Sequence, residues 1–573
     1  MIWALLLILF VPSFADAATY YADPAGGGAA SCVDTGANVC TLARAEAVAT
    51  HGDTVQAACG TYDMGATSLT VNVNIAIAPV TAGCGIITGT NASAIVILTV
   101  ANNANVLTFG AFDVRNTGGG TSSTLLVSNA AYDQTVVLSG TRITVGGTNR
   151  FIADQYTRGT LKLEGITVSG TVGAQAGFYS VVTPSAAKKL SITDSTFDVA
   201  VSASTTPVIL VERAAASSTS EWVYIEGNTI TAIAPTGLGN NIQVIPIRLN
   251  RITYGDNLSS VSTPPIIENN TITLTALAVT ATDSLGIVVS STDATAVAHG
   301  AQILNNTVTC NTPAARCISV GTDPTTLFYA NDVLIAGNTV TSSFYNGVAT
   351  THGVHCGRVT NCTIRQNRVN GFAAAILSSM STTSYIYGNL VVGSYYAPLF
   401  AKGNTSAFFS HNTVIMNDAL YGAKFGNYGC LGAAAQGATN NAATTFQNNL
   451  CYVASGTEWK HVVVDASQVA TFDANDYYSV PTLTTPWSYQ GSATAAIATW
   501  NANATVGTDL TVDPLFVGAT DYRLRASSSL IYAGANGLPC LDHRGRACYL
   551  LNPNIGAYQS SSGDPAATRA VRN

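Results

Sequence analysis

Between Asp332 and Asp418 the chain carries no carboxylate side chain. The 85 residues from 333 to 417 hold Arg358, Arg365, Arg368 and Lys402, with His352, His355 and His411. Glycoside hydrolysis ordinarily needs two facing carboxylates, so this stretch is no usual hydrolase centre. Calcium takes carboxylate oxygens, so it is a poor place for calcium too. What the stretch can hold is an anionic sugar. β-Elimination of a uronate needs a cation against the C5 carboxylate, which acidifies C5–H, and a base to take that proton. Lys, Arg and His supply both.

Register selects among these residues. Counted from the Asn that opens each repeat described below, Leu399 lies ten residues after Asn389 and Tyr421 nine after Asn412. Lys402 and Lys424 then fall on one face, 22 residues apart. Ser379 takes the matching place one coil earlier, and Thr351 beside His352 the one before. Lys402, Lys424, His352 and His355 are the catalytic candidates, with Arg358, Arg365 and Tyr421 as candidate substrate contacts. The plain alternative makes the lysines solvated charges and His355 a packing residue beside Cys356. A second set, Arg248, Arg251, Tyr254 and Asp256 flanked by Glu226 and Glu268, could serve calcium or carboxylate chemistry, or simply be a salt-bridged loop. Tyr395, Tyr396, Phe408, Phe409, Tyr421 and Tyr428 could stack on sugar faces or fill a core.

The elements that must position these residues are announced by a recurring phrase. It reads Gly227-Asn228-Thr229-Ile230-Thr231, then Asn269-Asn270-Thr271-Ile272-Thr273, Asn305-Asn306-Thr307-Val308-Thr309 and Gly337-Asn338-Thr339-Val340-Thr341. Weaker copies follow at Asn367, Asn389, Asn412 and Asn449. The steps between the Asn residues are 42, 36, 32, 29, 22, 23 and 37. A turn residue leading a short alternating β run at such intervals marks a solenoid whose coils carry loops of different length. Asn tolerates the left-handed backbone of a tight corner, and stacked Asn amides can bond from coil to coil. About fourteen coils at ~4.8 Å would make a rod of about 65 Å. N-x-S/T sequons at Asn91, Asn257, Asn269, Asn305, Asn361, Asn404 and Asn503 read as incidental to this Asn- and Thr-rich composition.

Composition agrees. Of 573 residues 47% are hydrophobic and 10% charged, and the net charge is −7. A nucleic-acid binder usually shows the opposite balance. Met1 to Phe14 is apolar and ends in Ala15-Asp16-Ala17, which reads as a secretory signal with an A-x-A cleavage site. No later stretch is apolar for long enough to span a bilayer. The expected organisation is a signal over 1–17, an N-terminal cap with a short helix over 18–64, coils over 65–480, and a closing segment and tail over 481–573. Twelve cysteines fit an exported chain. They fall as six local pairs: Cys32 and Cys40, Cys59 and Cys84, Cys310 and Cys317, Cys356 and Cys362, Cys430 and Cys451, and Cys540 and Cys548.

The tail carries a more specific signal. Asp513-Pro514-Leu515-Phe516, Asp521-Tyr522-Arg523-Leu524, Ser528 to Gly534, Asp542 to Gly545 and Asn554-Ile555-Gly556-Ala557-Tyr558 resemble the closing segment of bacterial secreted right-handed parallel β-helix proteins of the pectate-lyase-like superfamily. Ser529, Tyr532 and Gln559 depart from its usual Pro, Asp and Glu. The resemblance implies an all-β, right-handed, single-stranded parallel β-helix, secreted or at the cell surface. It also implies polysaccharide-active enzymes, and it makes Ca2+ a possible cofactor without firmly implying one. The local catalytic motifs of polygalacturonases, mannuronan epimerases and pectate lyases are absent, so no catalytic set carries over. The leading expectation is an exported protein engaging an anionic polysaccharide, cleaving it as a metal-independent lyase. The rivals are a non-catalytic glycan-binding or adhesive β-helix, and a structural rod.

Overall fold

In the computed structural model the recurring phrase is one corner of a three-sided coil. The structure describes residues 17–558, apart from 28–30, 34–37, 92–93, 101–105, 119–122, 130–133, 147–149, 157–158, 174, 183–187, 203–205, 214–221, 235–243, 252–263, 277–283, 292–297, 313–314, 322–329, 344–350, 418–428, 503–506, 539–540 and 545–552. The signal expected over 1–17 therefore lies, Ala17 apart, outside the described residues, as do Cys540 and Cys548.

Each coil contributes one short strand to each of three sheets. Among the described residues sheet A holds 17 strands, sheet B 15 and sheet C 16. One coil shows the path. Trp222–Glu226 runs in sheet A, Thr229–Ala234 in sheet B and Val244–Asn250 in sheet C, and the chain returns to sheet A at Ile266–Glu268. Every coil-to-coil pairing is parallel; the exception in sheet C is a terminal hairpin between Trp487–Tyr489 and Ser492–Thr494. The chain is a parallel β-helix. Alternation along each strand sends one side chain in and the next out, so like residues stack inward. In sheet B, Ile230, Ile272, Val308, Val340, Val369, Val391 and Val414 occupy successive rungs, and none is exposed.

The corner between sheets A and B needs two different residues. The left-handed position is the first: Gly227, Asn269, Asn305, Gly337, Gln366, Gly388, His411, Asn448 and Ala474 all have φ between 52° and 70°. The repeating Asn is the second. Its side chain turns inward and stacks, so corner conformation and amide stacking belong to neighbouring residues rather than to one. Asn338 shows the pattern. Its Oδ1 accepts from the backbone N of Asn306 at 2.9 Å and from Asn306 Nδ2 at 3.0 Å, while its own Nδ2 donates to Asn367 Oδ1 and to Ile303 O, each at 2.9 Å. The stack runs from Asn228 through Asn475 and stops at Asp509, which accepts from Asn475 N at 2.9 Å. A second, shorter stack of Asn404, Asn441 and Gln468 lines the corner between sheets C and A. Asn404, the sequon residue, is fully buried there.

The ends are closed by different means. The helix α1 (Leu42–Val48) starts at Thr41, whose side chain caps Arg44 N, and it buries Leu42 and Ala45. At the other end Phe409, Phe446 and Phe472 stack inside the coils at 4.8 and 5.1 Å. Trp500 of α2 (Ile497–Ala502) covers the last ring edge-on at 5.1 Å, and its Nε1 donates to Asp509. The tail then runs back along sheet B. Tyr522 packs with Leu390 and Ile415, and Leu530 and Ile555 with Leu450. Asn448 clasps it by accepting from Ala535 N at 2.7 Å, and Thr413 Oγ1 accepts from Ala557 N.

Among the described residues five disulfides join Cys32–Cys40, Cys59–Cys84, Cys310–Cys317, Cys356–Cys362 and Cys430–Cys451, all sequence-local as their spacing suggests. Among the described residues no helix is long and apolar enough to cross a membrane.

Burial of titratable groups sets an expected pH window. Burial holds His352, His411 and His461 down at about 3, from 6.5. The unfolded chain takes up their protons first, so their stabilisation is full above 6.5 and is lost as pH falls toward 3. Burial raises Asp476 to about 8 and Asp509 to about 6, from 3.8. Their contribution is full below 3.8 and is lost as pH rises through those values. A melting-temperature profile should therefore peak close to the ordinary His value of about 6.5 and decline on both sides. Asp476→Asn should flatten the alkaline limb while leaving the acid limb in place.

Candidate functional site

The candidate residues gather on the outer face of sheet C. Four consecutive strands build it: Ala315–Gly321, His352–Gly357, Ala374–Ser379 and Leu399–Lys402. Pairing places Arg316 beside His352, and it aligns Ser319, His355, Leu377 and Phe400 in one row. A parallel row holds Gly357, Ser379 and Lys402. The backbone between His352 and His355 places both rings on the same side, with centroids 5.5 Å apart. His355 Nε2 lies 2.8 Å from Ser379 Oγ. A Cβ at position 357 would come 2.9 Å from the His355 ring, so Gly357 makes room for the imidazole.

The floor of this face is buried: Val288, Ser319, His355, Leu377 and Phe400 are each no more than 5% exposed. Arg316, His352 and Lys402 are partly exposed above it. Burial, with Arg316 and Lys402 nearby, keeps His352 neutral at physiological pH. The same causes, and His352 itself, hold His355 well below the ordinary imidazole value. Burial also lowers Lys402, against the opposing charge of Asp465. Its Nζ lies 5.8 Å from the Phe400 ring centroid. A lysine with a lowered pKa is a usable base, and two neutral imidazoles beside it do not compete for an anion.

Further along the same outer face is a cleft of about 350 Å³ lined by Arg150, Tyr179, Glu212, Arg248 and Asn250 among others. The Arg150 guanidinium stands 4.3 Å over the Tyr179 ring, and Asn250 Nδ2 donates to Glu212 Oε1 at 2.9 Å. Arg248 is in the row of Ser319 and His355, three strand steps from the latter, or about 14 Å at ~4.8 Å per step. Sequence reasoning missed Arg150, Tyr179 and Arg316. Each lies in the first two residues of a sheet C strand, a placement that loops of unequal length hide in the sequence.

Other candidates fall elsewhere. The strand partner of Lys402 on the next coil is Ala434, not Lys424. The strand equivalent to Leu399 begins at Leu431, nineteen residues after Asn412, because extra residues precede that strand. Tyr421, Lys424 and Tyr428 lie outside the described residues. Arg365 ends a sheet A strand and lines a separate cleft of about 520 Å³ with Arg368, His543 and Arg544. Arg358 occupies a left-handed corner directly after Gly357. In the second set, Arg248 belongs to the sheet C cleft, whereas Glu226 and Glu268 pair in sheet A, where Glu268 accepts from Tyr224 Oη. Tyr254 and Asp256 lie outside the described residues. Of the aromatics, Tyr395 and Phe409 are core residues, and Phe408 stacks on Tyr385. Among the described residues no three of His, Cys, Asp and Glu gather where they could hold a metal ion.

No protein-family model matches the chain, and no curated protein matches it. Among solved structures it is similar to the pectate lyase Pel9A, at 13% identity over 95% of this chain and 96% of that one, with a TM-score of 0.20. It is also similar to a rhamnogalacturonan lyase, at 15% identity over 80% of this chain and 87% of that one, with a TM-score of 0.23. Superpositions at these scores add nothing to the strand pairing, which establishes the topology by itself. The architecture is a parallel β-helix.

Proposed function

We propose that the protein is an exported, polysaccharide-active β-helix that binds an anionic chain along the outer face of sheet C and cleaves it by β-elimination at Lys402. The observation that carries this reading is the convergence of Arg316, His352, His355 and Lys402 on one face, with Arg248 and Arg150 extending the cationic row. A uronate carboxylate set against Arg316 acidifies C5–H. Lys402, neutral in a larger fraction than an ordinary lysine, takes that proton. The C4–O4 bond breaks, C4 and C5 become doubly bonded, and the departing oxygen receives a proton from the lysine just charged. His355 holds Ser379 beside Lys402 without adding charge.

The test is ultraviolet absorbance during incubation with pectate, alginate and chondroitin, with and without chelator. A rising unsaturated-uronide signal that survives chelator is expected. A flat trace on every polymer would overturn the elimination.

A second reading has its own support. The outer face of sheet B carries Thr229, Thr271, Thr307 and Thr339 in one row, and Thr231, Thr273, Thr309 and Thr341 in the next. Such a flat hydroxyl array suits a non-catalytic glycan-binding or adhesive role. Glycan binding that persists in a Lys402→Ala variant of a catalytically silent protein would favour it.

A further inference from the structure

Inside the coils, away from both faces described above, lies a polar cluster that the proposed chemistry does not use. Asp154, in a sheet C strand, turns inward where its rung neighbour on the preceding coil is Val127. Ser180 is its neighbour on the next coil, followed by Val211. Lys188 opens the sheet A strand Lys188–Thr193 and reaches across the interior. Its rung partner is Gly159, which leaves space for the long side chain. The side chains of Asp154 and Lys188 are both completely buried. Lys188 Nζ is 2.5 Å from Asp154 Oδ2 and 3.0 Å from Ser180 Oγ, and Ser180 Oγ donates to the same Oδ2 at 2.6 Å.

A separated ion pair in this interior is costly, since the effective desolvation penalty is several kcal/mol per ion. Transfer of the shared proton gives a neutral amine in contact with a neutral carboxylic acid. Those are the reactants of an amide. Well-oriented intramolecular reactants reach an effective molarity of about 10⁵–10⁸ M, and the valine-walled site lacks the bulk water that would reverse the reaction.

We propose that Lys188 and Asp154 condense into an intramolecular isopeptide bond. The Nζ lone pair attacks Asp154 Cγ and the N–C bond forms. The Cγ–O bond to Oδ2 then breaks, and Ser180, which already donates to Oδ2, relays the amine proton to the departing oxygen. One water leaves, and no oxidant or co-reactant is consumed. The product is a neutral amide that ties sheet A to sheet C across the core, 34 residues apart in sequence. This inference does not depend on what the outer face of sheet C binds.

The test is a tryptic map of the wild-type protein after denaturation and reduction. An amidated Lys188 blocks cleavage after itself. The expected product is therefore peptide 163–189 joined to peptide 151–158, one water molecule lighter than their sum. The same digest of Asp154→Ala should show 151–158 and 163–188 as separate linear peptides. Separate linear peptides of full mass from the folded wild-type protein would overturn the proposal, and so would a branched product that persists in Asp154→Ala. Because the wild-type map decides by itself, the outcome stands even if the variant does not fold.

Discussion

Lys402→Ala is expected to lower turnover of a susceptible polyuronate by about 10²–10⁴-fold, the usual contribution of a positioned general base, while the melting temperature stays near that of the wild type. Lys402 is only half-buried, it ends its strand, and its rung neighbour on the next coil is already Ala434. Truncation therefore leaves no large cavity. Lys402→Arg separates the two roles a lysine could have. It keeps the positive charge but removes a base that holds its proton less tightly than an ordinary lysine. Retained binding with lost turnover would identify Lys402 as the base; unchanged turnover would reduce it to an electrostatic anchor and sink the proposed step. Arg316→Ala should lower kcat as well as raise KM, since its guanidinium both holds the carboxylate and acidifies C5–H. The pH dependence gives a third readout. Burial lowers Lys402 from 10.5, so activity should rise with pH and reach its plateau below that value.

Asn338→Ala is expected to be the most damaging single substitution among the corner residues, at about 3–5 kcal/mol, in the exceptional tail of single substitutions. The cost has a specific origin. Asn306 N–H and Nδ2 both lose their acceptor, and Ile303 O and Asn367 Oδ1 both lose a donor. These groups are buried, so water does not replace the missing partners without disturbing the coil. A hydrogen-exchange map should show lost protection centred on the coils of Asn306, Asn338 and Asn367, because each coil of a solenoid leans only on its neighbours. Thr360→Ala, on the exposed side of the next strand of sheet A, is the control and should fall within about 0.5 kcal/mol of wild type. If the two variants melted together, the Asn stack would carry no special stability.

The contrast between those two sites follows what was legible in the chain. The corner is a local code. A left-handed backbone followed by an inward amide can be met by few residue pairs, so Gly-Asn and Asn-Asn recur wherever the coil turns, and the strands behind them show their alternation directly. The pairing of five of the six cysteine pairs was legible for the same reason, since the disulfides among the described residues close within 25 residues. The parallel β-helix, its corner Asn stack and the shortage of carboxylates around Lys402 were therefore written in the sequence alone.

The loops are where that code runs out. Extra residues before Leu431 shift the sheet C strand by a whole loop. Nothing in the run from 417 to 430 says whether an insertion precedes or follows a four-residue strand. The expected Lys402–Lys424 stack gave way to Lys402–Ala434 for that reason. Arg365 and Lys402 belong to one carboxylate-free stretch, yet they lie on different sheets, because a coil sends neighbouring segments to different faces. Arg316 was passed over because its partner His352 is 36 residues away. Asp154 and Lys188 meet only because two sheets face each other across one cross-section. Sequence by itself determined the period, the corners and the class of fold. The tertiary structure alone decided which side chains share a face or a cavity, because in a solenoid that depends on summed loop lengths, and loop length carries no local energetic signature.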